Sequence, residues 1–204
     1  MISAQVDWCP WTDEMVQLLG DGGVLIFDSV LGLGTAASTF NTVLKLAQDG
    51  NLKHAGVGRS GNLRQDAAIR QDLITWVDET NAHEFSRVTA LFEGVRTAAN
   101  EHCWMGLKRF DTQVALYSGN GAHYDRHRDA FHGKSSRTLT AIYYPNVHWE
   151  PTHGGQLRVF FADEKVEDIE PVADRLVVFL SEVLDHQVLP THAPRAALTA
   201  WFYP

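Results

Sequence analysis

"GAHYDRHRDAFH", residues 121–132, is the stretch around which the rest of the chain is arranged. The turn-forming "SGNG" before it and the loop-like "DAFHG" within and after it argue for an extended run rather than a helix. In an extended chain His127 and Asp129 stand at i and i+2, so both side chains leave one face while Arg128 points away. An imidazole and a carboxylate then converge on one point. A solvated surface ion pair has the same spacing, so His-x-Asp alone leaves both readings open.

A third imidazole, His186, lies in "SEVLDHQVLPTHAPRAALTAWFYP", followed by a turn at "LPTHAP" and an extended run from Arg195. Two histidines and one carboxylate on one face of a metal leave its other positions open, the pattern of non-haem Fe(II) oxygenases. On the alternating run "RAALTAWFY", Arg195, Ala197, Thr199 and Trp201 share a face. A guanidinium there binds a carboxylate through two parallel hydrogen bonds. An acid held by metal at its other end fits that arrangement.

The 204 residues suit one domain with a substantial core, and 45% hydrophobic and 21% charged residues are ordinary for a soluble globular protein. Cys9 and Cys103 stand in no CxxC or zinc-like spacing, which points to reduced thiols in the cytoplasm. The start, "MISAQVDWCPW", has neither a basic n-region nor an apolar h-region, and no apolar run approaches membrane length, so no membrane partner is expected. A net charge of -8 disfavours a nucleic-acid partner. Arg126, Arg128, Lys134, Arg137 and Arg158 form a local basic exception near the paired residues, mostly as solvated faces.

In the first half, Thr12 caps a short helix through "DEMVQLLG", and "GGVLIFDSV" reads as a buried strand. Helical spacing of Phe40, Val43, Leu44 and Ala47 predicts a helix over Thr35–Gln48, ended by "DG". Phe85, Val88, Phe92, Val95 and Ala99 predict a second over about Ala82–Cys103, a core-packing stripe with His102 and Cys103 structural. Between them lies "LITWV", a strand, preceded by a glycine- and arginine-rich loop, Gly56–Arg70, that lacks the GK[ST] of a phosphate loop and is expected near the site.

From Thr112 the texture changes to short strands separated by turn formers: "TQVALY", "HYDRH", "TLTAIYY", "GQLRVFF", "VEDIEPV", "RLVVFL", "HQVLP" and "RAALTAWFY". The fold class expected is α+β, a sandwich or barrel braced by helices, in one unit over residues 1–204 with helical support to about 105. His123, His132, His148, His153 and His192 offer a zinc-type alternative, which a helix carrying His123 and His127 at i, i+4 would need.

Taken together, "YSGNGAHYDRHRD", "IYYPN", "HGGQLRVF", "DIEPVADRLVVF", His186 and "RAALTAWF" resemble the prolyl-hydroxylase-domain branch of the Fe(II)/2-oxoglutarate oxygenases, continuously from about Ala115 to Tyr203. "LITWVDE" looks like a matching motif earlier on. The resemblance implies a double-stranded β-helix, or jelly roll, with Fe(II) held by His127, Asp129 and His186. It also implies 2-oxoglutarate and O2 as cosubstrates, ascorbate as a reductant, and a protein or peptide substrate carrying proline. By the same resemblance Arg195 anchors the distal carboxylate of 2-oxoglutarate and Tyr144 donates a hydroxyl to it. Tyr117 and Thr199 are implied near that cosubstrate, Trp201 beside the metal, and Leu157 and Val188 as apolar lining.

Three departures bear on substrate. "AFHGKSS" follows Asp129 where animal members carry Asn-Pro, Gln113 replaces an apolar pocket residue, and Pro204 follows directly on the arginine strand, where animal relatives have a peptide-binding helix. A free amino acid or small peptide is the alternative substrate, and a jelly roll that senses iron or 2-oxoglutarate without turnover is the alternative of another class.

Overall fold

The computed structural model describes residues 11–56, 68–130 and 137–204. Three helices come from the first half: α1 (Asp13–Gly20), α2 (Leu33–Gln48) and α3 (Ser86–Cys103). The strands are β1 (Leu25–Asp28), β2 (Lys53–His54), β3 (Leu73–Trp76), β4 (Arg109–Tyr117), β5 (Ala122–His127), β6 (Leu139–Tyr144), β7 (Leu157–Phe160), β8 (Val166–Ile169), β9 (Arg175–Leu180), β10 (Asp185–Thr191) and β11 (Arg195–Tyr203). They form two antiparallel sheets, one ordered β1-β9-β6-β11-β4-β3-β2 and the other β5-β10-β7-β8. These facing sheets are the jelly roll, and every strand run named from the second half is present.

Side-chain alternation divides the large sheet into two faces. Along β11, Ala196, Leu198, Ala200 and Phe202 join the cluster formed with Val43 of α2 and Val88, Phe92 and Val95 of α3. Fully burying a side chain of this size contributes on the order of 2 kcal/mol, which is what fastens the helices to the sheet. The alternate residues Arg195, Ala197, Thr199 and Trp201 face the space between the sheets. There Ile142, Tyr144, Val177 and Phe179 of the large sheet meet Leu157, Val159 and Leu184 from the side of the small one. The period of two thus puts a helix-backed core on one face and a cavity on the other.

Helix boundaries follow local chemistry. The Thr12 hydroxyl accepts from Met15 N at 3.3 Å, as its capping position requires. α2 begins after Gly32, at φ 84°, and no side chain of its own caps it; instead Asp174 accepts from Leu31 N at 2.8 Å and Gly32 N at 2.6 Å. α3 starts at Ser86 and not near Ala82, because Asp78 and Asn81 hold the intervening residues in turns, with Asp78 N donating to Asn81 Oδ1 at 3.0 Å.

One expectation needs correction. The strand in "GGVLIFDSV" is not buried: β1 is an edge strand in which Leu25 is buried while Ile26 is 44% exposed. Among the described residues it pairs with β9 alone, so a single neighbour and one covered face are all it requires. Cys9, residues 131–136 with His132 and Lys134, and residues 57–67 of the arginine-rich loop lie outside the described residues, so of "AFHGKSS" Ala130 alone is described.

Candidate active site

The ladder brings two of the three predicted metal-ligating residues together. β5 and β10 pair antiparallel with His127 directly opposite His186, and their rings lie 4.3 Å apart. Asp129 lies just beyond the end of β5, its Oδ2 3.8 Å from His186 Nε2. One ligand atom from each of the three can be chosen so that all lie within 4.8 Å of one another. His123 sits in the strand and not on a helix, and among the described residues no second group of this kind includes it.

Each imidazole is oriented by its own backbone. His127 Nδ1 lies 2.7 Å from Asp125 O and His186 Nδ1 3.3 Å from Leu184 O. A carbonyl only accepts, so Nδ1 carries the proton in each ring and Nε2 is left with a lone pair for a metal. Burial, reinforced by His186, pushes His127 down to about 3 and keeps it neutral. Burial opposes ionisation of Asp129, but the neighbouring histidines and the Thr140 hydroxyl outweigh it and hold its carboxyl below the usual carboxylate range. The Trp201 indole N–H is turned toward that carboxylate without completing a hydrogen bond.

Below this cluster opens a cavity of about 310 Å³, lined by Tyr117, Tyr144, Leu157, Val188, Arg195, Thr199 and Trp201 as well as the three converging residues. Every predicted site residue therefore reaches one space. Arg195 is 2% exposed. Its Nε donates to Gly155 O at 2.9 Å, its guanidinium lies 4.9 Å from the Tyr144 ring centre, and among the described residues no carboxylate pairs with it. Burial pushes the Tyr144 hydroxyl up, so it stays protonated as a donor, yet it has no acceptor. A buried cation and an orphaned buried donor side by side describe a place built for an anion.

Two local devices place Arg195. Asn146 is buried, donates to Pro171 O at 2.8 Å and Ala196 O at 3.0 Å, and accepts from Ala196 N at 2.7 Å, pinning the start of β11. Gly155 has φ +74°, and a Cβ there would stand 3.0 Å from Thr191 Cβ and 3.3 Å from Arg195 Cδ. Only glycine lets the chain turn and offer its carbonyl so close to the guanidinium.

Several lining residues are not read from the sequence. Arg70 and Asp72 form a largely buried ion pair at the cavity, and the Arg70 guanidinium lies 4.3 Å over the Tyr124 ring. Tyr124 in turn stacks on His127 at 3.7 Å between centres. Arg128 donates to Asp185 Oδ1 at 2.7 Å, Arg126 to Asp185 Oδ2 at 2.8 Å, so this carboxylate spans the residues flanking both histidines. Arg158 is turned away onto Asp168, and Arg137 lies 4.0 Å over the Trp201 ring. Gln113 does reach the cavity.

Two imidazoles and a carboxylate with open space beyond them, and an anion seat farther in, are the parts of a metal centre that binds an acidic cosubstrate. The chain belongs to the 2OG-Fe(II) oxygenase superfamily, whose family description matches residues 112–203. It is a 2-oxoglutarate-dependent oxygenase that uses Fe(II) and O2.

Among curated relatives, prolyl hydroxylase EGLN3 of Mus musculus is 31% identical over 200 residues, covering 94% of this chain and 82% of that protein. Of solved structures, a Pseudomonas putida prolyl-4-hydroxylase superposes with a TM-score of 0.83 at 34% identity, over 93% of this chain and 97% of that one. A Trichoplax adhaerens prolyl hydroxylase in complex with a hypoxia inducible factor oxygen degradation domain peptide fragment gives 0.81 at 29% identity, over 92% and 86%.

Proposed function

We propose that this chain hydroxylates a prolyl residue of a protein or peptide, with His127, Asp129 and His186 as the metal ligands and Arg195 and Tyr144 as the seat of the distal carboxylate of 2-oxoglutarate. The observation that carries the reading is the buried Arg195 guanidinium, which has no carboxylate partner among the described residues, beside the orphaned Tyr144 hydroxyl in the cavity that the three ligands share. Prolyl substrates are suggested by the relatives, which are prolyl hydroxylases at about a third identity over nearly the whole chain.

Fe(II) with 2-oxoglutarate supplies the oxidising chemistry, in which the keto acid and O2 become succinate and carbon dioxide and one oxygen atom passes to the substrate. The protein's part is placement. Backbone carbonyls of Asp125 and Leu184 aim the two imidazoles, and the Thr140 hydroxyl donates to the Asp129 carboxylate. Arg195 and Tyr144 give one end of the dicarboxylate a charge-assisted bond and a hydroxyl bond, which sets the direction in which the molecule lies. Tyr117, Leu157 and Val188 close the sides of the seat to water. No side chain has to act as general base.

Substrate enters past Arg70, Trp76, Arg128 and Arg137, which line the same cavity. In the same reading residues 1–204 form a single oxygenase domain, because the helices and the large sheet share one core. No helix among the described residues is long and apolar enough to cross a membrane; the reduced thiols favour the cytoplasm, and ascorbate would serve as reductant.

The test is succinate release from 2-oxoglutarate after anaerobic loading with Fe(II) and admission of air, with proline-containing peptides of decreasing length. Peptide-stimulated succinate, with a peptide one oxygen atom heavier at proline, is the expected result. Equal turnover of free proline would move the substrate to a free amino acid. Tight binding of Fe(II) and 2-oxoglutarate with no succinate from any substrate would leave a sensing protein.

A further inference from the structure

The three converging side chains are not held alike. His127 and His186 face each other in ladder register, so the β5–β10 pairing itself sets their separation. Asp129 lies outside β5, and only tertiary bonds place it. Its main chain is tied by Ala130 N donating to Ser181 O at 3.2 Å and by Arg137 donating to Asp129 O at 3.3 Å. Neither bond orients the carboxylate.

What orients it is a pair of fully buried hydroxyls. Thr140 Oγ1 donates to Asp129 Oδ2 at 2.8 Å, the same oxygen that lies 3.8 Å from His186 Nε2. Thr140 Oγ1 is also 2.8 Å from Ser181 Oγ, and both residues have 0% exposure. An ionised carboxylate only accepts, so the single Thr140 proton is committed to Asp129. The Ser181 hydroxyl must then donate to Thr140, which gives the chain one direction: Ser181 to Thr140 to Asp129.

We propose that Thr140 and Ser181 are positioning residues that hold the Asp129 carboxylate in its ligating orientation through this one-way hydroxyl chain. The inference rests on the reading of Asp129 as a metal ligand. A hydrogen bond from behind fixes the rotamer of a ligating carboxylate, and losing such a partner typically weakens metal affinity about 10- to 100-fold. Ser181 acts on Asp129 only through Thr140, so its effect depends on the Thr140 hydroxyl being present.

The experiment is titration of the metal-free protein with Mn(II) alone, followed by the electron paramagnetic resonance signal of the free ion. The proteins compared are wild type, Asp129→Ala, Thr140→Val, Thr140→Ser, Ser181→Ala and the Thr140→Val/Ser181→Ala double variant. Thr140→Val is expected to bind Mn(II) about tenfold or more weakly, Thr140→Ser near wild type, Ser181→Ala in between, and the double variant like Thr140→Val alone. A purely packing role reverses the order of the two Thr140 variants, because valine keeps the volume of threonine and serine does not. Should Thr140→Val fail to fold, weakening by Ser181→Ala together with retention by Thr140→Ser decides in its favour.

Wild-type Mn(II) affinity in both Thr140→Val and Ser181→Ala, with binding lost in Asp129→Ala, would overturn the hydroxyl chain and leave the ligand reading standing. Wild-type affinity in Asp129→Ala would overturn the ligand reading, and the chain with it.

Discussion

The Tyr144 hydroxyl is fully buried, has no acceptor, and shares a cavity with the Arg195 guanidinium. An unsatisfied buried polar group costs about 1–3 kcal/mol, and a carboxylate in this cavity would give the hydroxyl the acceptor that no protein atom among the described residues supplies. Tyr144→Phe therefore separates two quantities. Urea denaturation of the ligand-free variant should show unchanged or slightly raised stability, while the dissociation constant for 2-oxoglutarate with Mn(II) present should rise about five- to tenfold, near 1 kcal/mol. A loss of stability without loss of affinity would show that the hydroxyl serves the fold. Arg195, Thr199 and Trp201 were legible in the sequence because strand alternation places them on one face by arithmetic alone. The Arg70–Tyr124–His127 stack was not, since Arg70 meets Tyr124 through an isolated bridge between distant segments, and no period in the sequence links them. The Thr140–Ser181 pair was hidden for the same reason.

At the level of elements, Asp174 joins pieces that periodicity treats as separate. It lies just before β9 at φ 63°, is 1% exposed, and its carboxylate takes bonds from Leu31 N, Gly32 N and the Tyr143 hydroxyl. It thereby fixes Leu31 and Gly32, the two residues that lead the chain into α2, whose N-cap Gly32 has no side chain to hold the turn. Asp174→Ala leaves three donors without their acceptor, and urea denaturation should show a loss of about 3 kcal/mol. Asn at 174 should cost less, because it tolerates positive φ and retains one acceptor. Mn(II) affinity should be unchanged in both, since these bonds lie on the helix-backed side of the large sheet; a parallel loss of affinity would show the two faces to be coupled. The helices and strands themselves were legible from apolar spacing, and the misjudged pieces are those where spacing is silent. β1 is apolar in composition but lies at an edge, and the start of α3 is set by the Asp78 and Asn81 turns rather than by its stripe.

The whole molecule is a sandwich whose large sheet has helices on one face and the cavity on the other, so whatever fills the cavity braces both sheets at once. Its net charge is -8, yet four arginines, Arg70, Arg128, Arg137 and Arg195, line that cavity against two aspartates, Asp72 and Asp129. A dicarboxylate is thus drawn to a recess whose lining carries an excess of cations in an otherwise acidic protein. Ligands that bind only the folded state stabilise it by about 2.7 kcal/mol at one hundred times Kd, and for a chain of this length each kcal/mol raises Tm by about 2–4 °C. Mn(II) should therefore raise Tm by several degrees, and 2-oxoglutarate should add a further increment that is larger with Mn(II) than without, because in the proposed reading the metal would hold one end of the acid and Arg195 the other. Arg195→Ala should keep the Mn(II) increment and lose most of the one from 2-oxoglutarate, whereas His127→Ala should lose the first and, with it, the metal-dependent part of the second. Retention of the full 2-oxoglutarate increment in Arg195→Ala would place the anion seat elsewhere in the cavity. A 2-oxoglutarate increment that ignores the metal would separate the two halves of the site and leave the buried guanidinium as a seat for an acid unconnected with the three ligands.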